Sequence, residues 1–93
     1  MKSDDLWRNV RPAPGVVASV ESDGSLTLRR GEVAFICGPG GAVMWITLQC
    51  NAWRLGATAH ELGRLWSQDA LWVRVKLGCW VEDLLEVGLV VEV

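Results

Sequence analysis

The sequence has no Tyr, one Phe and one His, and these gaps exclude much before any motif is sought. The single His60 has no neighbouring nucleophile, and acid–base chemistry needs partners within hydrogen-bond reach. It reads as a surface helix residue. Cys37, Cys50 and Cys79 form no Cys-x-x-Cys pair, whereas structural zinc wants closely spaced ligand pairs. No metal and no other cofactor is therefore expected. Each Cys lies among apolar neighbours and reads as a small buried hydrophobe, in keeping with a reducing cytoplasm. No apolar run approaches the roughly 20 residues of a membrane span, and no charged-then-apolar leader opens the chain. The expectation is a cytoplasmic protein with no membrane partner. Nor is there a basic stripe. The net charge is −2, and Arg8, Arg11, Arg29 and Arg30 read as solvated, which speaks against nucleic acid.

Present instead are 51% apolar residues and six Trp in 93 residues. That length makes one domain with a modest core. So many Trp cannot all be fully buried, so one or two are expected at a groove or interface. The chain is organised around residues 32–45. Glu32, Val33, Ala34, Phe35, Ile36 and Cys37 read as a strand. Gly38-Pro39-Gly40-Gly41 makes a corner, and Ala42, Val43, Met44 and Trp45 open a buried helix. The glycine corner lacks the Lys and Thr of a phosphate loop, so it is read as a tight turn only.

Residues 1–10 read as a flexible arm, frayed at its start, with Trp7 tucked onto the body. Residues 11–15 are extended, because each Pro also restricts its predecessor. A strand over 16–20, an Asp23-Gly24 turn, an alternating strand over 26–29, a turn at Arg30-Gly31 and the strand to Cys37 make a three-stranded antiparallel meander. The helix over 42–50 is apolar nearly all round and should be central. Gly56 is expected to end the following segment. Thr58 and Glu61 have capping-box spacing, predicting a short helix to Trp66. Asp69 is placed to cap a last helix to about Val87, with Val73, Leu77, Val81 and Leu84 as its core stripe. Leu71, Trp72, Val73, Arg74, Val75, Lys76 and Leu77 also alternate as a strand would, and Gly78 weakens a helix by about 1 kcal/mol. Helix or strand is left open there. Gly88 suits a helix stop, with a short tail or edge strand after it. The fold class expected is α+β, winged-helix-like, with a three-stranded antiparallel sheet followed by three helices in one domain over 1–93.

Three segments together resemble the PqqD-like family, the RiPP recognition element. Ala34-Phe35-Ile36 leading to Gly40-Gly41-Ala42-Val43-Met44-Trp45 looks like its third strand and Thr-Gly-Ala-x-x-Trp helix start. Gly56-Ala57-Thr58-Ala59-His60-Glu61-Leu62 looks like its Gly-x-Thr-x-x-Glu-Leu segment. Val81-Glu82-Asp83-Leu84-Leu85-Glu86-Val87-Gly88-Leu89-Val90 looks like its closing Phe-Leu-x-x-Leu-x-x-x-Gly-Leu-Val. The chain departs from the family where Cys37-Gly38-Pro39 replaces Leu-Asn, and in a longer stretch from Trp45 to Thr58.

The resemblance implies a non-enzymatic protein that binds the leader peptide of a ribosomally made precursor. It would present that peptide to a modifying enzyme or leader peptidase, with a lasso-peptide pathway first and a pyrroloquinoline quinone-type or other radical-SAM pathway second. An edge strand offers unpaired N–H and C=O groups that an extended peptide can join. By resemblance, Glu32, Val33, Ala34, Phe35 and Ile36 would pair with the leader, with either Val33/Phe35 or Ala34/Ile36 facing the groove. Trp72, Val73, Lys76 and Trp80, in the N-terminal half of the last helix, would form its wall. The same edge could also pair with its own copy, giving a homodimer. The rival reading is a winged-helix DNA-binding regulator, disfavoured because Glu82, Asp83 and Glu86 offset Arg74 and Lys76.

Overall fold

The structure is a computed structural model that describes residues 9–93; the expectation of a frayed start and a tucked Trp7 lies outside the described residues. In chain order the elements are β1 (Val10–Pro12), β2 (Val17–Val20), β3 (Leu26–Arg30), β4 (Val33–Cys37), α1 (Pro39–Cys50), α2 (Leu55–Trp66), α3 (Ala70–Glu86) and β5 (Val90–Glu92). The protein is thus α+β, with an antiparallel sheet in the order β2-β3-β4 and three helices.

Turn chemistry sets the sheet. Asp23 accepts hydrogen bonds from Ser25 N–H at 2.9 Å and Ser25 Oγ at 2.6 Å, which holds its carboxyl below the ordinary range. Glu21 N–H bonds Ser25 O at 2.8 Å. Gly24 supplies the positive φ, but in a longer loop than the tight primed turn that Asp-Gly suggests. The β3–β4 turn has only Gly31 and Glu32 between the paired Arg30 and Val33. Gly31 takes φ +60° while Glu32 does not turn left-handed, as the type II′ form of a two-residue hairpin requires.

A second, smaller sheet was not foreseen. Val10, Arg11 and Pro12 pair antiparallel with Glu92, Val91 and Val90. Val10, taken with the arm in the sequence, is buried, and Val93 N–H bonds Asn9 O at 3.0 Å. The alternation was too short to announce a strand, because pairing with the chain's far end supplies its order.

Pro39 occupies the first turn of α1, where its missing N–H costs nothing, so the helix starts three residues before the expected Ala42. Gly41 is required by close approach, since a Cβ there would meet the Cys37 side chain. α1 is central, as expected. Met44 and Leu48 join a cluster with Leu55, Leu62, Val73 and Leu77, while Ala42 and Trp45 join Leu26, Leu28, Leu84 and Leu89. Trp45 is buried edge-on to Trp53 and Trp80, at centroid distances of 4.9 and 6.4 Å.

The capping box does not form. α2 begins at Leu55, so Gly56 lies inside the helix rather than ending a segment. Thr58 is one turn in, and its hydroxyl donates to Arg54 O at 2.7 Å. Glu61 pairs with Arg64 at 3.2 Å instead of reaching back. Thr58 is fully buried, and packing outweighed the local capping signal. Asp69 does cap α3, accepting from Leu71 N–H at 3.0 Å and Trp72 N–H at 3.3 Å. Residues 71–77 are therefore helix, with Val73, Leu77, Val81 and Leu84 buried as the stripe predicted. Gly88, at φ +80°, follows the helix end.

Candidate functional site

Among the described residues, β4 has a partner on one side only, β3. The closing pair of a two-residue hairpin is hydrogen-bonded, and antiparallel pairs alternate from it. With Arg30 opposite Val33, this alternation turns the backbone N–H and C=O of Ala34 and Ile36 away from β3. These are the groups an added strand would meet. β2, the other outer strand, is exposed at every residue.

Side chains on β4 divide by face. Phe35 is half-buried against the core and Cys37 is buried, while Ile36 is 74% exposed. Val33, on the same face as Phe35, lies at the exposed turn end. Both alternatives left open in the sequence thus have a definite answer for the fold. Phe35 faces inward, and Ala34 and Ile36 face out.

Two contacts place α3 against the hairpin. Trp80 Nε1 donates to Cys37 Sγ at 3.4 Å. Arg30 Nη1 donates to Gly88 O at 3.0 Å, and Arg30 Nε to Pro14 O at 3.0 Å. The stretch of α3 beside the hairpin is therefore its C-terminal half, from Trp80 onward. The expected wall was the N-terminal half. Trp72 and Lys76 share Trp80's helix row but stand two turns and one turn beyond it. There Trp72 packs edge-on against Trp66 of α2, with centroids 6.3 Å apart, and Lys76 Nζ sits 5.5 Å over the Trp72 ring. The same row continues the other way through the exposed Asp83 and Val87. The 3-4 spacing runs along the whole helix, and only the contacts of the hairpin with Trp80 and Gly88 show which end of the row lies beside it.

Val73 is corrected outright. It is 0% exposed, inside the cluster with Leu62 and Leu77, and cannot touch a ligand while the core is closed. Glu32, Val33, Ala34 and Ile36 are accessible, Phe35 and Trp80 are half-buried, and Trp72 is 48% exposed. Of the cysteines, only Cys37 is buried; Cys50 and Cys79 are exposed, because each falls on a helix face that the apolar neighbours alone do not define. Burial pushes the Cys37 thiol up, outweighing the opposing Trp80 N–H. A raised thiol stays protonated and is a poor nucleophile.

Comparison with protein-family models, curated proteins and solved structures gives no match. Function therefore rests on the geometry of this chain. No group of three or more His, Cys, Asp or Glu among the described residues is arranged to hold a metal ion. No helix among them is long and apolar enough to cross a membrane. What the arrangement offers is an open strand edge, a partly apolar strand surface, and Trp80 of α3 in contact with the last residue of that strand.

Proposed function

We propose that this protein binds an extended peptide by strand addition on β4, and that the peptide is the leader of a ribosomally synthesised precursor. The protein acts as a non-enzymatic adaptor that presents this leader to a modifying enzyme or leader peptidase. A lasso-peptide pathway is the first assignment and a pyrroloquinoline quinone-type or other radical-SAM pathway the second, both on the resemblance to the PqqD-like family. The observation that carries the reading is the outer position of β4 together with the helix held beside it by the Trp80–Cys37 contact. Backbone pairing to Ala34 and Ile36 supplies affinity with little sequence preference, and side chains lying between β4 and α3 supply selectivity.

A DNA-binding role draws less support, since the part of α3 beside the sheet carries Glu82, Asp83 and Glu86. Phosphate contact needs cations.

The test is titration with short precursor leader peptides encoded beside the gene, followed by Trp fluorescence and backbone amide shifts. Saturable binding with shifts over 33–37 and 80–87 is expected. Ala34→Pro removes an outward N–H without touching the β3 ladder, which edge strands tolerate, and should abolish binding in a folded protein. No binding to any such leader, with salt-sensitive binding to duplex DNA, would sink the proposal.

A further inference from the structure

α3 has a second apolar face, away from both the core and β4. Leu71 is 69% exposed and Val75 58% exposed. The same flank continues into a cleft of about 330 Å³ whose lining includes Val10, Leu55, Val75, Gly78, Val81 and Leu85. Leu71 thus stands as an exposed knob at the start of the helix, and the cleft opens from Val75 onward, with the charged Arg74, Glu82 and Glu92 in its lining beside the apolar residues. Charge is divided between the two halves of the helix. Arg74 and Lys76 lie in the first half, and Glu82, Asp83 and Glu86 in the second. That polarity opposes the helix dipole, which favours acids near the N-terminus and bases near the C-terminus. Between the halves sits Gly78. A Cβ there would meet nothing within 4 Å and the residue needs no positive φ, so the chain itself gives no reason for a glycine inside a helix.

From this self-complementarity we infer that the α3 flank is an interface between two copies of this chain, packed antiparallel about a two-fold axis at Gly78. In that register Leu71 of each copy meets Leu85 of the other, so each copy's knob enters the other's cleft, with Val75 at its rim. Arg74 lies opposite Glu82. The two helix dipoles oppose one another, and the charge polarity that is unfavourable within one helix becomes complementary across the pair. Gly78 lets the backbones approach at the axis. A two-fold contact of this kind is closed, with one patch serving both sides. It is built from one helix face and a cleft, less than the roughly 1,600 Å² of a standard stable interface, so the dimer is concentration-dependent. The interface and β4 lie on opposite flanks of the buried stripe Val73–Leu77–Val81–Leu84. The inference is thus independent of the peptide-binding reading, and both copies keep β4 free.

Sedimentation velocity of the full chain, from low micromolar to millimolar concentration, tests it. A monomer–dimer equilibrium is expected. Gly78→Leu, whose side chain enters open space in the monomer, should keep the fold by circular dichroism and weaken the dimer about tenfold or more through overpacking at the axis. Arg74→Glu and Glu82→Arg should each weaken it, and the double variant should recover it, with urea unfolding of each variant reading any loss within one chain. A monomer at every concentration overturns the inference. So does a dimer that is indifferent to these changes and lost on Ala34→Pro, since that dimer would be formed by the β4 edge.

Discussion

Trp80 Nε1 lies 3.4 Å from Cys37 Sγ, so the middle of the last helix is hydrogen-bonded to the last residue of the edge strand. Sulfur is a weak acceptor, and the larger consequence is packing. The Trp80 ring lies against both apolar clusters, the one under the sheet and the one among the helices. It also fills the space beside Gly41. One side chain therefore links β4, the glycine corner and α3.

Trp80→Phe keeps most of the apolar area and loses the bond to sulfur, at an expected cost of about 1 kcal/mol. Trp80→Ala removes the ring from both clusters and should cost about 3 kcal/mol. Urea unfolding followed by circular dichroism reads both. If the alanine variant costs no more than the phenylalanine one, the ring does not join the clusters.

Trp72 and Val73 are neighbours with opposite expected phenotypes. Val73 is fully buried, so Val73→Ala should cost about 2 kcal/mol in lost transfer energy and cavity, with peptide affinity unchanged in the folded fraction. Trp72 is half-exposed and two turns from the strand contact, so Trp72→Ala should cost under about 1 kcal/mol. Because it lies beyond the Trp80–Gly88 stretch, it should also shift peptide affinity less than Asp83→Lys or Val87→Ala does. Paired unfolding and binding titrations decide this. A large affinity loss at Trp72 alone would return the groove to the N-terminal half of α3.

The stripe Val73–Leu77–Val81–Leu84 was legible because it repeats a period that burial enforces, although the strand-like alternation over 71–77 left that segment open. The meander was legible from its glycine turns and α1 from its continuous apolar run. Asp69 was legible because a capping side chain acts on its own neighbours. What sequence missed depended on distant partners. Val10 becomes a strand residue only because Glu92 pairs with it. Thr58 looked like a cap, but its burial made it an interior helix residue. The candidate site divided in the same way. The edge strand was readable, since it needs only strand order, but the helix segment facing it was not. Every fourth residue of α3 satisfies the same row, and only Cys37 and Gly88 fix which end lies against the hairpin.

Cys37 gives a pH dependence with a defined sign. Burial raises its folded pKa above the ordinary thiol value of 9.0. Below that value both folded and unfolded chains hold the proton, and stability is independent of this group. Above it the unfolded chain releases the proton while the folded chain retains it, so the unfolded state binds fewer protons and stability falls as pH rises. Melting temperatures across the alkaline range should decline more steeply for the native chain than for Cys37→Ala. Alkylation at neutral pH should modify the exposed Cys50 and Cys79 well before Cys37. Early labelling of Cys37 would mean that the Trp80 contact opens readily.

Arg30 is the second tie between sheet and helices, and it differs in kind from an ion pair. Its guanidinium donates to two neutral carbonyls, Pro14 O and Gly88 O, each at 3.0 Å. One belongs to the segment after β1 and the other to the end of α3. Ala13 N–H bonds Leu89 O at 3.0 Å close by, so the three segments are fastened together beside the β3–β4 turn. A lysine carries the same charge on a single nitrogen and cannot span both carbonyls with Arg's fork. Arg30→Lys should therefore cost about 1 kcal/mol, and Arg30→Ala about 2 kcal/mol, as for hydrogen bonds from a charged donor at a partly solvated site. Because the acceptors are uncharged, adding salt should leave both costs nearly unchanged, whereas a screened ion pair would fade. Hydrogen exchange should show the loss locally, with faster exchange at Leu89 and Val90 before the core of α3 responds. Uniform acceleration along α3 would instead assign Arg30 to global stability and leave the seating of the helix end to Trp80 alone.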